Sequence, residues 1–112
     1  MNFPTQMYID GTLTDGSATR EVANPATETA VAAVAVAGMD DVERALQAAK
    51  AAFPIWAAAP IAERQAWMRK LRDEVVANED WLRSCVHQEM GKPWAQTEED
   101  WDRLVASLDF YA

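Results

Sequence analysis

The hydrophobic pattern of this chain changes character once, near residue 38, and that change fixes the class of fold it can adopt. Up to residue 38 the apolar residues come in short β-prone runs broken by turn formers; from residue 39 to 112 they recur at helical spacing. The expectation is an α+β chain, a single segment over 1–112. Residues 1–38 supply a hairpin and strands, and residues 39–112 supply three or four helices.

Met7-Tyr8-Ile9 and Thr12-Leu13-Thr14 flank Asp10-Gly11, a hairpin signal because both central residues of that turn need positive φ. Asp15-Gly16-Ser17 reads as a second turn and Arg20 to Ala23 as a strand. Asn24-Pro25-Ala26-Thr27 ends that strand, since proline presets φ and asparagine bonds its own backbone. Ala30 to Val36 reads as a further strand.

Asp40 with Glu43 reads as a capping box opening the first helix, and Pro54 as its stop. Val42, Ala45, Leu46, Ala49 and Phe53 share one face of it. Burial of Val42, Leu46 and Phe53 would stabilise that face by roughly 1.5–3 kcal/mol each. A second helix starts near Pro60, with Trp67, Met68, Leu71 and Val75 as its stripe. Asn78-Glu79-Asp80 marks a break or kink and a fresh cap, after which Trp81, Leu82, Cys85, Val86 and Met90 carry the stripe to Gly91. Gly91 suits a left-handed C-terminal cap, and Pro93 opens the next helix, lined by Trp101, Leu104, Val105, Leu108 and Tyr111. That helix runs to Ala112 without a stop signal, the pattern of a cut chain.

Ten basic and eighteen acidic residues give a net charge of −8, which repels nucleic acid and anionic membrane surfaces. The longest apolar run, Ala30 to Ala37, is far short of the roughly 20 residues that span a bilayer. Met1-Asn2-Phe3-Pro4-Thr5 has no cationic stretch leading into an apolar one, so no export signal is read there. With one cysteine and no internal disulfide, a reducing, cytoplasmic setting is expected.

Cys85 is a candidate nucleophile only by residue type. It falls on an apolar stripe with Glu89 one turn away, whereas a reactive thiolate needs an electropositive surrounding. His87, two residues on, points elsewhere around the helix, and no second histidine exists to build an imidazole metal site. Glu98-Glu99-Asp100-Asp102 lacks the alternation and central glycine of a calcium loop and suits a helix start. The tryptophans at 56, 67, 81, 94 and 101 are read as packing residues. Glycines at 11, 16, 38 and 91 alone cannot make a phosphate-binding loop.

Six short motifs, in order, cover nearly the whole chain. Tyr8-Ile9-Asp10-Gly11, Asn24-Pro25-Ala26-Thr27 and Asp41-Val42-Glu43-Arg44-Ala45 running on to Phe53 and Trp56 are three. Pro60-Ile61-Ala62-Glu63-Arg64, Glu89-Met90-Gly91-Lys92-Pro93 and Phe110-Tyr111-Ala112 complete the series. In this order and spacing they resemble the N-terminal region of the NAD(P)-dependent aldehyde dehydrogenase superfamily. One departure is Glu28, where the family usually has the glycine of a left-handed turn, a replacement costing roughly 1–2 kcal/mol.

The resemblance implies a parent with an α/β, Rossmann-like fold that oxidises an aldehyde to its acid with NAD or NADP and assembles as a homo-oligomer. It implies a cysteine nucleophile, a glutamate base and cofactor-binding residues beyond residue 112, so that no catalytic or cofactor-binding residue falls within this chain, which is expected to be inactive and to bind no cofactor alone. Cys85, between Ser84 and Val86, lacks the family's Gln-x-Cys context. The partner implied is the remainder of the dehydrogenase chain. The one site carried over is a structural monovalent cation, to which Val22 and Ala23 would offer main-chain oxygens and Asp102 a carboxylate. The alternative reading is a stand-alone helical module that self-associates or docks on a full-length relative through its apolar stripes.

Overall fold

The computed structural model describes residues 4–112; Met1-Asn2-Phe3, read above for an export signal, lies outside them. Strands β1 (Met7–Ile9), β2 (Thr12–Thr14), β3 (Ala18–Ala23) and β4 (Ala30–Val36) precede helices α1 (Met39–Ala58), α2 (Ile61–Ala77), α3 (Glu79–Met90) and α4 (Thr97–Tyr111). A 3-10 turn, Trp94–Gln96, leads into α4. This is the expected α+β content. It divides into two compact units, one of the residues through Ala23 with Thr29–Ala58, the other of Asn24–Glu28 with Ala59–Ala112.

In the first unit β1 and β2 pair antiparallel, with Ile9 opposite Thr12, so Asp10-Gly11 is a two-residue turn. Its φ values, 50° and 77°, are those the sequence called for. Strands β3 and β4 form a second antiparallel ribbon; its register slips between Val22 and Ala23, which face Ala32 and Ala30, leaving Val31 as the extra residue. Residues 15–17 differ from expectation. They form no hydrogen-bonded turn but a bend at Ser17, whose N–H donates to the Val36 carbonyl (3.1 Å) and so starts the ribbon.

Helix α1 departs from the sequence reading in two ways. It begins two residues early: the Gly38 carbonyl accepts from the Val42 N–H, making Gly38 the cap. The carboxylate reaching back to the Gly38 N–H is therefore that of Asp41 (2.8 Å), not Glu43, and Asp40 is not the cap. Pro54, expected to stop the helix, sits inside it. Proline removes only the bond to the Lys50 carbonyl, and its fixed φ is helical, so the last turn continues to Ala58. The face expected to be buried is open: Leu46 and Phe53 are 60% and 70% exposed, and α1 has no buried residue. Its apolar surface contributes little to the stability of this unit.

In the second unit Asn78 separates α2 from α3. Its backbone (φ −116°, ψ 25°) leaves the helical region, and its N–H and side-chain amide donate back to the Val75 and Glu74 carbonyls. It closes α2 and makes no side-chain cap for α3, contrary to the fresh cap expected there. Helix α3 ends at Gly91 with φ 65°, the left-handed cap expected. Helices α2 and α4 pack together, tied by Arg72 to Asp109 (2.9 Å) and by Arg69 to the Ala112 carbonyl (2.6 Å). Leu108 is buried, as are Ser84 and Thr97. Met68, Val75, Trp81, Leu82 and Val86 are half-buried, while Trp67, Leu71 and Met90 stand exposed.

Candidate functional site

The most organised polar cluster lies in the second unit, where the end of α3 meets the start of α4. Thr97 is fully buried, and its hydroxyl donates to the Trp94 carbonyl (2.7 Å) while accepting from Arg83 Nε (3.0 Å). The same guanidinium donates to Glu79 one turn back (2.8 Å) and lies over the Trp94 ring, 4.8 Å from its centroid. Each polar group is satisfied, so the cluster fastens the 3-10 turn to α3 and leaves no group poised for chemistry. The sequence reading missed Arg83; the available signal was Glu79 and Arg83 at i, i+4 spacing.

His87 and Lys92 extend this junction. His87 Nδ1 lies 2.6 Å from the Lys92 carbonyl, which makes it the protonated ring nitrogen, and the ring meets Trp94 edge-on at 6.1 Å. Lys92 Nζ donates to Asp100 (2.6 Å). His87 is thus a half-buried clasp on the turn after α3. Below it the Asn24–Thr27 turn closes as expected: Asn24 Oδ1 accepts from the Ala26 N–H (2.8 Å), and the Asn24 carbonyl from the Glu28 N–H (2.8 Å). Glu28 takes the left-handed conformation, φ 57°, that its position demands.

Cys85 behaves as a packed thiol. Burial pushes its pKa up, and the nearby Glu89 charge adds to that, so the thiolate is disfavoured. In the acidic stretch Asp100 is held by Lys92 and Glu99 pairs with Arg103, while Asp102 is exposed. Among the described residues no group of three His, Cys, Asp or Glu is placed to hold a metal ion. Val22 and Ala23 lie on β3 in the first unit and Asp102 on α4 in the second. Their donors, two main-chain carbonyls and a carboxylate, are all hard oxygens, the chemistry an alkali cation takes. No helix among the described residues is long and apolar enough to cross a membrane.

Turn motifs and helix junctions are locked by local hydrogen bonds, and exposed apolar side chains lie on the helices beside them. Residues 13–112 match the aldehyde dehydrogenase family, and the chain belongs to that family. It is 31% identical to the glutarate-semialdehyde dehydrogenase of Pseudomonas putida, an alignment covering 98% of this chain and 23% of that protein. It is 29% identical to the NADP(+) D-glyceraldehyde dehydrogenase of Thermoplasma acidophilum, covering 96% of this chain and 22% of that one. A betaine aldehyde dehydrogenase variant from Staphylococcus aureus, solved with NAD+, superposes with a TM-score of 0.83 at 25% identity over 90% of this chain and 21% of its own. The chain therefore spans less than a quarter of the length of these relatives. Its fold is part of the aldehyde dehydrogenase fold.

Proposed function

We propose that this chain is the N-terminal piece of an enzyme that oxidises an aldehyde to a carboxylic acid with NAD+ or NADP+, and that alone it turns nothing over. The observation carrying this reading is the family match over residues 13–112, set against relatives more than four times as long. The exposed faces of α1 and α2, with Leu46, Phe53, Trp67 and Leu71 uncovered, support it. So do the fully engaged Arg83–Thr97 cluster and the disfavoured Cys85 thiolate, neither of which offers a nucleophile or a base. The partner in this reading is the remaining dehydrogenase polypeptide, in a homo-oligomeric, cytoplasmic enzyme. The cofactor sits on that remaining polypeptide; relatives are named for NADP(+) or solved with NAD+.

The test mixes the purified 112-residue chain with a relative from which the matching segment has been removed, and follows reduced cofactor with an aldehyde substrate. No turnover by either piece alone and restored turnover on mixing are expected. Turnover by the 112-residue chain alone overturns the reading. So does a monomeric, cooperatively melting chain that binds no hydrophobic dye, because its apolar faces would then need no partner. The cation role of Val22, Ala23 and Asp102 rests in this proposal on the family resemblance; a full-length protein carrying Asp102→Ala whose stability responds to potassium as the parent does would remove it.

A further inference from the structure

We draw no further inference here: the strongest candidate, the open groove of about 550 Å³ between the β1–β2 hairpin and α1, carries nothing because, of its charged liners, Asp10 is an exposed turn residue while Glu43 and Arg44 are already engaged by Gln47 and Asp41, and, among the described residues, no unpartnered buried polar side chain points into it.

Discussion

Gly91 lies so close to Ala26 that a Cβ on Gly91 would stand 3.0 Å from both the Cβ and the main-chain nitrogen of Ala26. Two motifs far apart in sequence, the Asn-Pro turn and the end of α3, are thereby pressed together at a residue that also needs φ 65°. Gly91→Ala adds a left-handed backbone penalty and an overlap with backbone that cannot swing away. We expect a loss of about 2 kcal/mol or more, read as a lower denaturant midpoint by fluorescence of Trp81, Trp94 and Trp101. Gly91→Asn tolerates the φ but keeps the overlap, and should fall between. Equal midpoints for all three proteins would show that the contact is not made in solution.

Glu28 presents the converse case. It holds φ 57° with its N–H bonded to the Asn24 carbonyl, and its side chain is exposed. Glu28→Gly removes the left-handed penalty and keeps the backbone bond, at the cost of a looser unfolded chain. The net gain should be about 1 kcal/mol. Glu28→Ala, which removes the charge but keeps the Cβ, should gain nothing. A stabilised alanine variant, or a glycine variant no better than the parent, would assign the effect to charge or to nothing.

What was legible in the sequence is what short-range chemistry decides. Asp10-Gly11 names its own turn, Asn24 bonds two residues ahead, and Gly91 ends a helix, because each needs only its neighbours. Five of the six family motifs were legible for the same reason, each being a turn or a helix end; the other, Asp41 to Trp56, runs along α1 and is legible through its helical periodicity. Arg83 was not, since its partners Trp94 and Thr97 come from a later turn whose approach no periodicity encodes. The capping box was misplaced by two residues, Asp40 with Glu43 in place of Gly38 with Asp41, because the acidic run offers the same reach-back signal at Asp41 and Glu43 and only the helix start at Met39 chooses between them. The α1 face was read correctly as a stripe, but a stripe states that burial is wanted and not that this chain supplies it. The candidate cation residues rest on a family pattern alone, to which no short-range signal at Val22, Ala23 or Asp102 adds.

Helix α1 runs through Pro54, at the expense of the bond that an N–H there would give the Lys50 carbonyl. Pro54→Ala restores that donor, and the relief is at most about 3 kcal/mol for a helix interior, less near an end that frays. The variant should show more helix by far-UV circular dichroism, and slower amide exchange over residues 53–58. Unchanged exchange in that stretch would mean that the helix beyond Pro54 is not populated in solution.

Asp41 links the start of α1 to pH. Its carboxylate accepts from the Gly38 N–H and, as a second cause, from the Arg44 guanidinium, and together these hold its pKa below the ordinary aspartate value. A carboxyl whose folded pKa is depressed stabilises the fold fully above its unfolded value, roughly 3.9 for a free aspartate. That contribution is lost as pH falls through the lower folded value. The parent should therefore shed stability below about pH 4, while Asp41→Asn, which keeps an acceptor oxygen but cannot titrate, should show a flatter acid limb and a lower plateau near neutrality. Carbon-detected NMR of the Asp41 carboxyl reads the same quantity directly. A midpoint at or above the free aspartate value, or identical acid limbs in the two proteins, would mean that Gly38 and Arg44 do not hold this carboxylate, and that α1 starts elsewhere.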